Sequence, residues 1–191
     1  MYRILKTAPA GMPVTKEQVK TYAFGNTVKL DSMIDDLIPA AVNAAEAFTG
    51  RVFVNQVWEV YYDRPEFSNN MQLSTLNVNS IVAATTYSLD NTATVLDSGD
   101  YRLFNDQVIF LDSKSYSPEG FRAFQSVMVE VNAGYGADST DQRKDIQTAI
   151  AQIVYHWAKT GNMQSTDSSP FDIPITAQYK LRPYVKRTHW L

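Results

Sequence analysis

The period of the apolar residues changes twice along this chain, and that constrains the fold more than any other feature. Apolar residues recur at steps of three and four from Ile34 to Phe48, alternate at steps of two within the runs from Val52 to Ala133, and return to the helical step from Ile146 to Trp157. No helical pattern interrupts residues 52–133, and parallel strands need a crossover of that kind. The strands there must therefore be antiparallel, joined by short polar turns at Asp90-Asn91 and Asn105-Asp106. The expectation is an α+β fold. Three main helices form a core, an antiparallel β-sheet or small barrel is inserted into it, and an extended C-terminal arm follows.

The helices are expected at about 15–24, 32–49 and 140–160, with the β region at about 52–133. Thr15 with Gln18 three residues on has the spacing of a capping box. In the second helix Ile34, Leu37, Ile38, Ala41, Ala45 and Phe48 share a stripe, while Asp35, Asp36, Asn43 and Glu46 mostly take the other face. Burying Ile34, Leu37, Ile38 and Phe48 is worth about 1.5–3 kcal/mol each. Pro39 should kink that helix or restart it, since an interior proline costs about 3 kcal/mol. Residues 1–14, with Pro9, Gly11 and Pro13, read as an extended lead-in. In Gln56–Asp63 the residues Trp58, Val60 and Tyr62 share one face, and Val127, Val129 and Val131 share one side of the last strand. Residues 1–161 thus form one domain. Residues 162–191 open with a polar breaker and continue as a basic, aromatic arm with one helical turn near Thr176–Leu181. Removing residues 176–191 is expected to leave the fold intact.

Composition excludes several chemistries. The chain has no cysteine, so disulfides, thiolate metal sites and cysteine nucleophiles are ruled out. Its two histidines, His156 and His189, are too few for a three-histidine zinc site. No apolar run approaches the roughly 20 residues that span a bilayer, and the first residues are too short in apolar length for a secretory signal. A soluble protein folded in a cytoplasm is expected. Charge is uneven: residues 1–30 carry net +4, residues 31–172 net −11 and residues 173–191 net +4. An acidic body between basic ends is poor material for wrapping duplex DNA.

The candidate chemistry is sparse. Gly134-Tyr135-Gly136 lies between a strand and a helix but lacks the third glycine of a dinucleotide turn, so a plain strand-to-helix turn is favoured. Asp138, Asp141 and Asp145 have the spacing for one helix face, yet acidic residues suit a helix start in any case. His156 has no acid–base partner at a recognisable spacing, and no serine stands in a nucleophile elbow. No catalytic, metal-binding or cofactor-binding set emerges, and no enzyme is expected. The tail is richer. Tyr179, Tyr184 and Trp190 interleave with Lys180, Arg182, Lys186 and Arg187, the residue types that anchor protein interfaces. The alternative is a nucleic-acid-binding module acting through that basic tail.

The order of parts is more specific than any one of them. Val14-Thr15-Lys16-Glu17-Gln18-Val19-Lys20 leads in, followed by Leu37-Ile38-Pro39-Ala40-Ala41 and Ala44-Ala45-Glu46-Ala47-Phe48-Thr49-Gly50-Arg51. Then come Gln56-Val57-Trp58-Glu59-Val60, the Ala133–Gly136 turn, the helix Ile146–Trp157, and Leu181-Arg182-Pro183-Tyr184. Together these resemble the head-to-tail connector (adaptor) proteins of tailed bacteriophages, in the longer form with a β insertion. Phe48, where that family often has tyrosine, and the basic end beyond Tyr184 depart from its pattern. The resemblance implies a structural virion protein of the phage neck, assembled in the bacterial cytoplasm. It would form a ring, commonly dodecameric, under the portal, extending the DNA channel and giving the stopper or tail its docking site. DNA would pass through without specific binding. The partner-binding residues, toward portal or neighbouring subunit, would be Tyr179, Lys180, Arg182, Tyr184, Lys186, Arg187 and Trp190.

Overall fold

Where the period is two, the chain builds sheets. The computed structural model describes residues 1–24, 31–64, 70–73, 76–111, 118–160 and 172–185. Two compact units are distinguished, Met1–Ala8 with Asn55–Gly134, and Pro9–Val54 with the chain from Tyr135 onward. The first unit holds β1 (Tyr2–Thr7), β2 (Gln56–Tyr62), β3 (Asn70–Gln72), β4 (Val78–Tyr87), β5 (Ala93–Val95), β6 (Tyr101–Phe104), β7 (Gln107–Phe110) and β8 (Val127–Ala133). Five of these form an antiparallel sheet in the order β1-β2-β8-β4-β5, and the other three a sheet in the order β3-β7-β6. Val60, Val129 and Ala84 face one another across three strands and are all buried. The Tyr62 hydroxyl donates to the Gln72 carbonyl at 2.8 Å, tying the two sheets together.

Both hairpin turns lie where the sequence places them. Asn91 has φ 65°, and Asn105 and Asp106 have φ 49° and 59°, a left-handed region that asparagine and aspartate tolerate. The small barrel is not formed, because the five-stranded sheet stays open with β1 and β5 at its edges. The lead-in is extended as expected over Tyr2–Thr7, and the structure adds that this stretch pairs as an edge strand. Its side chains explain the pairing. Tyr2 stacks on Tyr61 at 5.2 Å, the Arg3 guanidinium lies 5.0 Å over the Trp58 ring, and Lys6 Nζ bridges Glu130 at 2.6 Å and Glu59 at 3.4 Å. The sheet ends at Gly134, whose φ of +145° and approach to Asn55 leave no room for a side chain. A Cβ there would lie 2.5 Å from the Asn55 amide nitrogen.

The second unit is helical. The capping box at Thr15 is present, opening a short α1 (Lys16–Val19) that continues as a π-helical turn, Lys20–Phe24. Helix α2 (Asp31–Thr49) runs through Pro39 as one element, so of the two expectations, a kink or a restart, the restart is not found. The carbonyl left without its amide partner belongs to Asp35, an exposed residue, where solvent can reach it. Gly50, at φ +66°, closes the helix by donating to the Glu46 carbonyl at 2.8 Å. Helix α3 (Lys144–Thr160) buries Ile146, Ile150, Ile153, Val154 and Trp157, the stripe read from the sequence. It starts later than expected because Asp138 accepts from the Thr140 amide and hydroxyl, both at 2.7 Å, which holds that stretch in a turn.

The core of this unit draws on α1, α2, α3 and the C-terminal segment, with Phe53 fully buried among them. Two glutamines inside it serve the backbone. Gln147, with no exposure, donates its amide to the Pro13 carbonyl at 3.1 Å and also to that of Ser139. Gln142 donates to the Phe53 carbonyl at 2.7 Å. Phe48 was expected inside; it lies on the rim of the α2 stripe and stays 36% exposed.

Candidate functional site

The polar breaker after Thr160 falls outside the described residues, and the chain is picked up again at Asp172. Pro174 sets an extended backbone at the cap of α4 (Ile175–Leu181), and a 3₁₀ turn, Arg182–Tyr184, extends it. This corrects the extended arm over 172–185. The sequence alone gave one helical turn there, but two stripes run along the segment. Ala177, Leu181 and Tyr184 point inward and join the core, Ala177 and Leu181 with no exposure and Tyr184 with 8%. Ile175, Tyr179 and Arg182, at the same spacing on the other side, stay exposed, Ile175 at 64% and Tyr179 at 63%.

The inward stripe is held by more than apolar contact. The Tyr184 hydroxyl donates to an Asp145 carboxylate oxygen near the start of α3, and its ring meets Tyr135 edge-on at 5.5 Å. The Arg143 guanidinium lies 5.2 Å over that ring. Burial first, then the carboxylate bond, pushes the Tyr184 phenol well above its ordinary value, so it remains a donor. The Trp157 indole N–H donates to the Asp172 carbonyl at 3.1 Å, pinning the approach to α4. Removing residues 176–191 would therefore open the core, contrary to the expectation from sequence.

The outward stripe meets Phe48 from the end of α2. Among the described residues Phe48, Ile175, Gln178, Tyr179, Arg182 and Val185 line a groove of about 540 Å³. The groove thus sets large apolar groups beside one cationic head, the residue types found at protein interfaces. Of the partner-binding residues named from sequence, Tyr179 and Arg182 reach this surface, Lys180 is half-buried, and Tyr184 turns inward. Lys186, Arg187 and Trp190 lie outside the described residues. Phe48, Ile175, Gln178 and Val185 line the same groove and were not named as site residues from the sequence. Spacings of four and seven from Ile175 would have revealed the second stripe had the segment been read as a helix.

The other candidates come to nothing chemical. Asp138 serves Thr140, Asp141 accepts from the Ala137 amide at 3.4 Å, and Asp145 holds Tyr184. Among the described residues no group of three or more histidines or carboxylates converges as a metal site, and no helix is long and apolar enough to cross a membrane.

Comparison with known families gives the decisive observation. The profile of the head completion proteins (HCP) matches residues 14–169, most of the chain. The chain belongs to the head completion protein family. The connector resemblance read from sequence is thereby borne out, and this head completion protein is a structural virion protein, not an enzyme. No curated protein matches it in sequence.

Solved structures share its fold across the whole chain. A chain from the neck of an empty gene transfer agent (GTA) particle, computed with C6 symmetry, is 14% identical with TM-score 0.75. Chains from the native GTA virion and from its neck, computed with C12 symmetry, are each 15% identical with TM-score 0.74. Each likeness covers 100% of this chain and 98% of the other.

Proposed function

We propose that this head completion protein is a head-to-tail adaptor of the virion neck. Copies close into a ring under the portal, lengthen the channel through which the genome passes, and present a docking site for the stopper or tail. The observation that carries this reading is the end-to-end fold likeness, 100% of this chain on 98% of chains from GTA necks, alongside the family match. The charge pattern supports it. A net −11 over residues 31–172 suits a channel wall, since repulsion avoids the phosphate contacts that make DNA stick.

In this reading the residues of the C-terminal end divide their work. Tyr179, Lys180 and Arg182, with Lys186, Arg187 and Trp190, contact the portal or the adjacent subunit, while Tyr184 holds the segment to its own core. Particles assembled without the protein test the reading. Heads should fill but stay unjoined to tails and lose their genomes. Tailed particles that keep their DNA would overturn the adaptor role. A chain ending at Val185 separates the arm from the fold: it should fold as the full chain does, yet bind the portal less.

A further inference from the structure

A closed ring of identical copies needs two different faces that fit each other, one on each side of the subunit. Among the described residues the helical unit carries two candidates. The first is the groove of α4 and Phe48, with Arg182 exposed at its rim and no acidic residue from Ile173 to Val185. The second is a groove of about 350 Å³ that includes Met12, Lys16, Asp35, Ile38, Pro39 and Asp138. Met12 is 45% exposed there, and Asp35 keeps 59% of its side chain exposed while pairing with Lys16 at 2.6 Å. Asp138 is ionised at neutral pH, held low by its bonds from Thr140.

The two grooves flank α2. Pro39 and Phe48 are nine residues apart, and at about 100° per residue they lie half a turn from each other. Their chemistry is complementary. One offers a projecting aromatic with a cation seven residues from the start of its stripe. The other offers an apolar floor of Met12, Ile38 and Pro39 between two carboxylates, with Lys16 the only cation among its described lining residues. A groove of about 350 Å³ admits a phenol ring.

We infer that the occupant of each groove is a second copy of this chain. Tyr179 of one subunit enters the Met12–Pro39 groove of the next, and Arg182 meets Asp35 and Asp138 at its rim. The contact is heterologous, so its repetition makes a ring where the rotation between copies closes. It rests on the ring reading above and names the surface that closes it. The patch is a handful of residues, whereas a stable standard interface draws on roughly 20–30 residues a side. Free copies should therefore remain monomers, and rings should form only where a template gathers them.

The absence of cysteine makes the test clean. Ala137→Cys and Thr176→Cys, two exposed positions beside the contact that leave Tyr179, Arg182 and Met12 in place, are combined in the full chain and oxidised in assembled rings on the portal. The double variant should yield a ladder from dimer to closed circle, and each single variant no ladder. Rings seen by electron microscopy with no ladder would overturn the contact and leave the ring reading standing. If the unsubstituted chain forms no rings on the portal, both fall. As a second measurement, Arg182→Glu should lose ring formation and Asp35→Arg added to it should restore it. Restoration failing while both variants keep the wild-type circular dichroism would also overturn the pairing.

Discussion

Leu181 decides whether the C-terminal segment belongs to the core. Its side chain has no exposure and sits among the residues of α2, α3 and Tyr184. Leu181→Ala removes three buried carbon groups, worth about 2.4 kcal/mol at about 0.8 kcal/mol each. Neighbours held by α3 collapse only partly, so the cavity brings the total to about 3–5 kcal/mol. Tyr179→Ala, two residues away on the exposed side, is the matched control and should change stability by no more than about 0.5 kcal/mol. Urea unfolding followed by far-ultraviolet circular dichroism measures both. The helical transition should move to lower urea for Leu181→Ala and stay in place for Tyr179→Ala. Equal, small shifts for the two variants would refute the docked helix and return the segment to a free arm.

Two further outcomes follow from buried polar groups. Gln147→Leu keeps the volume but leaves the Pro13 and Ser139 carbonyls without their donor, at about 1–3 kcal/mol for each buried acceptor, measurable in the same urea experiment. Glu46 accepts the Phe53 amide at 2.7 Å, and burial holds its carboxyl above the ordinary value of 4.5 despite that bond. The folded chain then keeps a proton that the unfolded chain gives up. Stability contributed by this group is present below pH 4.5 and declines as pH rises through the raised value. Thermal unfolding across that window should show a decline in the wild type that Glu46→Gln lacks; parallel curves would contradict it.

What the sequence revealed was what a local pattern can encode. The alternation around Trp58, Val60 and Tyr62, the turns at Asn91 and Asn105-Asp106, and the stripe from Ile146 to Trp157 all depend on neighbours within a few residues, and all match the structure. β1 escaped because its pairing rests on distant partners, Tyr61, Trp58 and Glu130, over 50 residues away, and on no turn signal of its own. The barrel failed for the related reason that closure depends on whether edges meet, which alternation does not record. In the candidate site, the residue types were legible and their roles were not. Tyr179 and Tyr184 look alike in a basic aromatic tail; a helix seven residues long turns one outward and the other onto Asp145. Phe48 sits on the rim of its stripe, where the helical period alone does not settle whether a residue is covered, and it stays 36% exposed.

The most direct test of the adaptor reading is electron cryomicroscopy of the full chain bound to the portal of its own particle. The account predicts a closed ring of this chain beneath the portal, coaxial with the channel, with Tyr179 at the boundary between adjacent copies. Single copies scattered on the portal surface, or no binding while heads still join tails, would contradict it.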